Sequence, residues 1–356
     1  MKVRVTLQTI ADRLGVSRTT VSNAYNRPDQ LTPVLRDQIL SVAEELGYRG
    51  PDATARMLRT GRIGAIGLVF TEDLTRVFSD PDTTLFIRGV AEATARSGMG
   101  MTMLPVPPLT DLEATALRSA PVDGYVVYSV ADDHPALDVV LGRGVPVVVI
   151  DEPDLGSRTS FVGIDDREGA RLAAEHLVAL GHRRVGILLH RLRIETSPGP
   201  VTNDVIDEAT VRVARERTAG YRLGLAAGGI DCATVPVWEA GGNDPDSART
   251  ATAALLRAHP EITGVLCSTD QVAIGAVQAI LRSGRTVPGD VSVVGFDDVP
   301  RAATWEPSLT TIRQPLLDKG RLAAELLNDA IESGASKRVQ LPIELIVRSS
   351  TGPAPG

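Results

Sequence analysis

The chain has 356 residues, of which 43% are apolar and 23% charged; this is enough for two or three domains with real cores and excludes wholesale disorder. No run of about 18 uncharged apolar residues is present, which excludes a membrane-spanning helix, and two cysteines exclude a disulfide framework. The net charge of −7 is uneven, because residues 1–62 carry 10 basic and 6 acidic residues. A basic head on an acidic body indicates a nucleic-acid reader joined to another module.

The first fifty residues show the apolar spacing of three short helices. Apolar residues at positions 7, 10, 11 and 14 lie on one face of the first helix, and Gly15 ends it. The second helix runs to about Asn26, and the third opens with Pro33 at its first position. The predicted N-caps are Thr6, Ser17 and Thr32. Helix, glycine turn, helix and packing helix together predict a helix-turn-helix head.

The second helix leaves a polar face outside this small core. Arg18, Thr19, Ser22 and Asn23 are hydrogen-bonding residues of the kind that contact base edges in a major groove. Ser17 and Thr20 carry small hydroxyl groups suited to phosphate. From the pattern alone, a small helical bundle with an ordinary polar face remains an equal alternative.

From Ile63 the pattern changes to alternating strands and helices. Buried parallel strands are predicted at 63–70, 100–104, 124–128, 145–150, 184–189, 234–238, 264–268 and 291–296. Helices are predicted between them, and residues 191–210 are predicted to be a long polar loop. Two successive series of this kind predict an α/β body of two open parallel sheets with a cleft between them.

The stretch from VTLQTIADRLGVSRTTVSNAYNRPDQ to ATARMLRTGR resembles the DNA-binding head and hinge of the LacI family of bacterial transcription regulators. The resemblance continues through VVVIDEP, RTAGYRLGL, STDQVAIGAVQAI and VSVVGFDDVP. It implies a three-helix head, a hinge and a body like a two-lobed periplasmic binding protein. The implied boundaries are 1–49 for the head, 50–62 for the hinge, 63–161 with about 315–335 for the first lobe, and 162–314 with about 336–350 for the second.

The resemblance also implies how the head binds. Arg18, Thr19 and Asn23 fall on the family's base-reading positions at the start of the second helix. In the hinge, Ala55 and Leu58 are predicted to contact DNA, and Leu58 is predicted to wedge into the minor groove and kink the duplex. One head buries too little surface for tight specific binding, so we expect a homodimer on a palindromic operator.

The implied effector site lies between the lobes. Its candidate residues are Asp297, Arg217, Thr269, Asp151, Asn243 and Gln314. The alternatives are that Asp297 is a loop residue or helix cap and that Arg217 is an exposed salt-bridge partner. Asp165, Asp166 and Asp270 precede helices, and for these the sequence favours capping.

The sequence therefore predicts a ligand-controlled regulator, most simply a repressor, whose effector is a sugar or another polar metabolite. It predicts no catalytic residue, cofactor or metal, because no nucleophile elbow, phosphate loop or metal-ligand spacing is present. An enzyme on the same body and a plain solute-binding protein are the other hypotheses. The N-terminus lacks the apolar core of a secretory signal, so we expect a cytoplasmic protein that joins the nucleoid when bound to DNA.

Overall fold

The computed structural model describes residues 5–48, 50, 61–106 and 110–356, and the chain divides into two units between Ile63 and Gly64. The predicted DNA contacts of Ala55 and Leu58 lie outside the described residues. Within the described residues, every helix is too short or too polar to cross a membrane.

The N-terminal unit contains the three predicted helices. They are α1 (Leu7–Leu14), α2 (Arg18–Asn26) and α3 (Pro33–Glu45). All three predicted N-caps are confirmed, since each side-chain oxygen accepts a hydrogen bond from a backbone amide of the first turn. Gly15 has a φ of 65°, the left-handed conformation that lets the chain turn from α1 into α2.

The core of this unit is small. Its buried members are Ile10, Ala11, Val21, Ala24, Ile39 and Ala43. Half of them are alanines, so the helices pack closely but remove little apolar area from water. A core of this size gives only marginal stability on its own.

The first lobe of the larger unit is built on a parallel sheet with the strand order β12-β5-β4-β3-β1-β2. Its strands are β1 (Ala65–Phe70), β2 (Gly100–Pro105), β3 (Tyr125–Tyr128), β4 (Val147–Ile150), β5 (Ser160–Gly163) and β12 (Arg338–Gln340). Its helices are α4 (Leu74–Ser79), α5 (Pro81–Ser97), α6 (Asp111–Ser119), α7 (Ala136–Leu141) and α14 (Leu316–Ser333). Helices cover both faces, which explains why the strands read as continuous apolar runs.

The second lobe is built on a sheet with the order β13-β11-β10-β9-β6-β8-β7, parallel except for the edge strands β13 and β7. Its strands are β6 (Val185–Leu189), β7 (Gly199–Pro200), β8 (Val237–Glu239), β9 (Gly264–Cys267), β10 (Ser292–Asp297), β11 (Thr310–Arg313) and β13 (Glu344–Ile346). Its helices are α8 (Asp166–Ala179), α9 (Asn203–Asp207), α10 (Arg212–Ala227), α11 (Pro245–Ala258), α12 (Asp270–Arg282) and α13 (Pro300–Thr304).

Two sequence predictions need correction. Residues 191–210 are not loop throughout, because they contain the short strand β7 and the helix α9. Residues 338–340 do not belong to the second lobe, because they pair in parallel with Phe161–Gly163 of β5. The chain then crosses to the second sheet, where β13 pairs with β11. Short edge strands of three residues carry too little pattern to be assigned from sequence.

Each lobe contains a pair of helices in very close contact. A Cβ atom on Gly320 of α14 would lie 2.1 Å from the carbonyl oxygen of Phe86 in α5, and one on Gly89 of α5 would lie 2.0 Å from that of Leu317 in α14. In the second lobe, a Cβ atom on Gly220 of α10 would meet the backbone of α8 at 2.0 Å. These glycines allow the helix backbones to touch, and this packing fixes the walls of each lobe.

Candidate DNA-reading helix and ligand cleft

The head presents α2 with its predicted contact residues on the outside. Ser17, Arg18 and Thr19 are exposed, and Thr20, Ser22 and Asn23 are half-buried. Val21 and Ala24, on the opposite face, are buried in the core. The helix-turn-helix prediction thus places these six residues on one accessible surface, with the arginine at the first turn. Such a surface can follow a major groove with its N-terminal end.

Two of these residues also have structural roles within the head. The Ser17 Oγ accepts a hydrogen bond of 3.0 Å from the Thr20 amide, and the two hydroxyl groups are 2.8 Å apart. The Asn23 amide donates to the Gln30 side chain over 3.2 Å. Neither contact occupies the Arg18 guanidinium, which extends from the first turn of α2.

A cleft of about 740 Å³ lies between the two lobes. Its floor is formed where strands of both sheets end at their carboxyl sides, the usual ligand position in open α/β sheets. The structure brings all six effector-site candidates to this cleft: Asp151, Arg217, Asn243, Thr269, Asp297 and Gln314. The alternative of an exposed salt-bridge partner does not hold for Arg217, which is 4% exposed.

Asp297 ends β10 and is 2% exposed. Its Oδ1 accepts from the Gln314 amide at 2.5 Å and faces the Arg217 guanidinium at 3.5 Å. Its Oδ2 is buried and has no donor among the described residues. A buried carboxylate oxygen with a vacant lone pair is costly, so this atom is suited to accept a hydrogen bond from a ligand.

Arg217 is held in place from three sides. Its Nε donates to Asp166 at 2.9 Å, its Nη1 donates to the Ser268 carbonyl, and its plane lies 3.6 Å from the ring of Phe296. Burial opposes its charge, but Asp166 and Asp297 outweigh that cost and raise the pKa of the guanidinium. Asp166 therefore pairs with Arg217 instead of capping a helix, which corrects the sequence prediction.

A second chain of polar contacts lies beneath the first lobe's side of the cleft. Lys319 of α14 is fully buried and donates to the Asp151 carboxylate at 2.6 Å and to the Gln314 side-chain carbonyl. Gln314 follows β11 where the chain crosses between lobes, and its amide donates to Asp297. Hydrogen bonds therefore run without interruption from Asp151 in the first lobe to Asp297 in the second.

Thr269 and Asn243 border the cleft from the second lobe. The Thr269 Oγ1 donates to the Asn243 Oδ1 at 2.7 Å and accepts from the Val272 amide, as the N-cap of α12. Asp270, predicted to cap this helix, instead accepts from the Val299 amide and the Thr311 hydroxyl. These contacts fix the edge of the cleft, which Thr269 and Asn243 both line.

Backbone strain is concentrated at the cleft. Among the described residues, positive φ angles outside glycine occur at Ser129 (46°), Asp151 (61°), Asp297 (119°) and Asp298 (56°). The first three line the cleft. Each such conformation costs on the order of 1–3 kcal/mol and persists where the surroundings enforce it, commonly at binding sites.

Several cleft residues were not predicted from sequence. Asp80 and Asp82 enter from the start of α5, Tyr128 ends β3 and His190 follows β6. Burial raises the pKa of Asp80 to about 6 and that of Asp82 well above its usual range, whereas burial, reinforced by Arg191 and Arg217, holds the pKa of His190 well below its usual range. The lowered pKa favours the neutral form of His190, and the raised pKa values favour the protonated forms of Asp80 and Asp82.

At the mouth of the cleft, ion pairs join the lobes. Arg191, after β6, contacts Glu72 at 2.7 Å, and Arg76 of α4 contacts Asp244 at 3.3 Å. Each pair has one partner in each lobe, so both hold the lobes together across the cleft. They are partly exposed, and their contribution to stability is small, about 0–1 kcal/mol each.

Comparison with known proteins identifies the two parts of the chain. Residues 6–50 match the model of bacterial regulatory proteins of the lacI family, and residues 174–351 match the model of a periplasmic binding protein-like domain. The chain is 43% identical, over 98% of both sequences, to an HTH-type transcriptional regulator of Mycobacterium tuberculosis.

Solved structures show the same architecture. A complex of the transcriptional regulator CelR with cellobiose is 30% identical, with a TM-score of 0.71 over 98% of this chain and 100% of that one. A lac repressor dimer bound to operator and the anti-inducer ONPF is 26% identical, with a TM-score of 0.78 over the same shares. The chain therefore belongs to the LacI family and is a ligand-responsive transcriptional regulator, not an enzyme.

Proposed function

We propose that this protein is a repressor that binds a palindromic operator as a homodimer and responds to a sugar or similar polar metabolite in the cleft. The observation that carries the proposal is the coexistence of two sites in one chain. One is the exposed face of α2, and the other is a polar cleft in which Asp297 keeps a buried oxygen without a donor.

On the DNA side, we expect Arg18 to contribute most to the recognition of bases. Its guanidinium can fork onto the N7 and O6 acceptors of a guanine, while Thr19 and Asn23 contact neighbouring base edges. Each good base contact discriminates by about 1–3 kcal/mol. Leu58, outside the described residues, is proposed as the minor-groove wedge, which requires a second copy of the head at the same site.

The dimer follows from this geometry. A three-helix head with a core of six buried residues offers a small contact surface, and two heads are needed for specific binding. The similarity to a lac repressor dimer on its operator supports the same arrangement here. Two copies related by a two-fold axis read an inverted repeat.

On the ligand side, the cleft is lined by many hydrogen-bonding groups and by few aromatic rings. Phe70 and Tyr128 are the aromatic residues that line it. The similarity to CelR in complex with cellobiose supports a carbohydrate ligand. A ligand shifts operator binding only if it binds one arrangement of the lobes more tightly than the other.

The direct test uses full-length protein and a library of random DNA duplexes. We expect selection of an inverted repeat whose binding is weakened by Arg18→Ala much more than by Arg36→Ala, which removes an exposed arginine from α3. The loss for Arg18→Ala should be about 1–3 kcal/mol. Selection of no inverted repeat, with or without added sugars, would contradict the proposal.

The proposed response to an effector is tested with the operator sequence selected in the first experiment. Sugars that raise the thermal midpoint of the protein are added to the complex, and operator release is followed by fluorescence anisotropy. Asp297→Asn should abolish this response and leave operator affinity in the absence of sugar unchanged. An intact response in the variant would place the ligand site elsewhere.

A further inference from the structure

Glu152, which follows β4 in the first lobe, is a buried glutamate that reaches into the second lobe. It is 1% exposed. Its Oε1 accepts a hydrogen bond of 3.0 Å from the Ser129 hydroxyl of the same lobe, and its Oε2 accepts one of 3.0 Å from the backbone amide of Val213 in the second lobe. It does not line the cleft, so the ligand site described above leaves it without a role.

The Val213 amide is a group that α10 cannot satisfy within itself. Val213 is the second residue of α10, and the first amides of a helix have no partner inside it. The N-cap is Val211, which forms no side-chain hydrogen bond, whereas α12 is capped by its adjacent residue Thr269. At α10 the acceptor comes instead from Glu152, 61 positions earlier in the chain and in the other lobe. Glu152 is therefore an N-terminal cap supplied across the lobes.

Three further hydrogen bonds join the same two segments. The Asp132 amide donates to the Thr210 carbonyl at 3.0 Å, and the Arg215 guanidinium donates to the Asp132 carboxylate at 3.2 Å. The Arg212 guanidinium donates to the Asp151 carbonyl at 2.9 Å. We name this contact the interlobe joint: residues 129–132 and 151–152 of the first lobe against residues 210–215 of the second.

Glu152 lies at the buried centre of the interlobe joint. The two arginine contacts are exposed or partly buried, so water competes with them, whereas the bond from Val213 to Glu152 is buried. Arg217 lies four residues after Val213, one helical turn further along the same face of α10, and both line the cleft. The joint therefore sets where the cleft arginine stands relative to the first lobe.

The charge of Glu152 suits this position. Burial raises its pKa to about 6, against the opposing influence of the Val213 amide, the Ser129 hydroxyl and the charge of Arg191. That value favours the ionised form at pH 7.5, in which both oxygens accept hydrogen bonds and neither donates. An anion at the start of a helix also meets the positive end of the helix dipole.

We propose that Glu152 is a positioning residue for the movement of the lobes: from the first lobe it caps α10 of the second, and so holds the lobes together and fixes the start of the helix that carries Arg217. The proposal does not depend on which ligand the cleft binds. When the lobes separate, the Val213 amide loses its acceptor, and the backbone bond from Asp132 to Thr210 breaks in the same event. Both amides then exchange with solvent together.

The test is amide hydrogen exchange of the full-length protein without ligand at pH 7.5, followed by mass spectrometry. Two segments report on the interlobe joint: residues 130–134 contain the Asp132 amide, and residues 211–216 contain the Val213 amide. The first turn of α12 is the internal reference, because its Val272 amide is capped by Thr269 within one lobe.

Two variants of Glu152 separate the acceptor from the size of the side chain. Glu152→Met removes the acceptor at nearly constant length, because a thioether accepts hydrogen bonds only weakly. Losing a hydrogen bond to a charged group changes an equilibrium by about tenfold or more, so exchange should rise by at least that factor in both segments and stay unchanged in α12. Glu152→Gln keeps the length and one acceptor oxygen, so exchange should rise by no more than about fivefold.

Glu239→Met is the matched control. Glu239 is also a buried glutamate, 3% exposed, and its Oε1 accepts from the backbone amide of Ser197 at 3.1 Å, but both residues belong to the second lobe. Its replacement should speed exchange near Ser197 and leave both segments of the interlobe joint at the wild-type rate. The control separates the loss of a buried glutamate from the loss of a contact between lobes.

Four results would overturn the proposal. They are unchanged exchange in both segments of Glu152→Met, faster exchange in residues 211–216 alone, no difference between the methionine and glutamine variants, or an equal effect of Glu239→Met on the joint. Should Glu152→Met fail to fold, the wild type decides the point. In low urea the protection of both segments should fall in parallel, because one opening exposes both amides, and divergent falls would contradict a shared opening.

Discussion

Asp166 and Asp297 both contact Arg217, yet replacing each with asparagine should have different consequences for stability. The Arg217 Nε lies 2.9 Å from Asp166, and the side chains of this pair are 5% and 3% exposed. The second contact, from Nη1 to Asp297, is 3.5 Å long. Asp166 is therefore the main counter-ion of a buried guanidinium that keeps its charge at any ordinary pH.

Removing one partner of a buried ion pair costs about 3–5 kcal/mol, because the other charge stays buried without compensation. Asp166→Asn should lower the free energy of unfolding by about 3 kcal/mol, the lower end of this range, because Asp297 still faces Arg217 at 3.5 Å. Asp297→Asn keeps the shorter pair and removes a negative charge that faces Asp82 and Asp270, so its cost should be no more than about 1 kcal/mol. Asparagine also tolerates the positive φ of position 297.

The assay is urea unfolding of the full chain at pH 7, followed by circular dichroism. Asp165→Asn is the control, because Asp165 is the neighbouring exposed N-cap of α8 and asparagine caps as well as aspartate. Its midpoint should equal that of the wild type. Equal destabilisation by Asp166→Asn and Asp297→Asn would refute the assignment of Asp166 as the main counter-ion.

Three further outcomes are expected. Burial raises the pKa of Glu152 from 4.5 to about 6, so the folded state holds that proton more tightly; the contribution of this residue to the free energy of unfolding should be greatest below pH 4.5 and fall by about 2 kcal/mol as the pH rises through 6, and the difference between wild type and Glu152→Gln in urea titrations should fall by the same amount. Gly320→Ala should lower the free energy of unfolding by about 1–3 kcal/mol, because the added methyl group pushes α14 away from α5. Gly100→Ala is the control and should cost less, because its Cβ would lie 3.5 Å from the nearest atom. Equal thermal midpoints for the two variants would contradict the close helix contact. Operator affinity measured by anisotropy should fall steeply with salt, and a flat dependence would contradict phosphate contacts by the head.

The head could be predicted almost completely because its signals are local. Thr6, Ser17 and Thr32 each cap a helix whose apolar face begins within the next turn, and Gly15 supplies the left-handed turn. These residues act on neighbours three or four positions away, so the adjacent sequence is enough to assign their roles. Most strands and helices of the body were predicted for the same reason.

The cleft was predicted only in part. Asp297 and Arg217 were identified from the family resemblance, while Asp82 was missed because an acidic residue in the first turn of a helix is ordinary. Asp166 and Asp270 were assigned to capping for the same local reason, yet their partners lie 51 and 29 or more positions away. Contacts of that range depend on how the sheets and helices bring distant segments together.

Lys319 was missed for a related reason. A lysine in an amphipathic helix is normally on the solvent side. Here it is fully buried, and its charge is met by Asp151, which follows β4 and lies 168 positions earlier in the chain. Burying the charge of Lys319 without Asp151 would cost too much free energy. The two residues therefore form their pair only when α14 packs on the first sheet.

The chain of hydrogen bonds through the cleft also sets how far a ligand can shift the equilibrium between two arrangements of the lobes. Asp151, Lys319 and Gln314 link the first lobe to Asp297 and Arg217 in the second, and Gln314 stands where the chain crosses between them. A hydrogen bond to a charged group contributes about 1.5–3 kcal/mol, and about 1.4 kcal/mol changes an equilibrium tenfold. A ligand that gains a single such bond in one arrangement of the lobes therefore shifts their ratio by about tenfold or more.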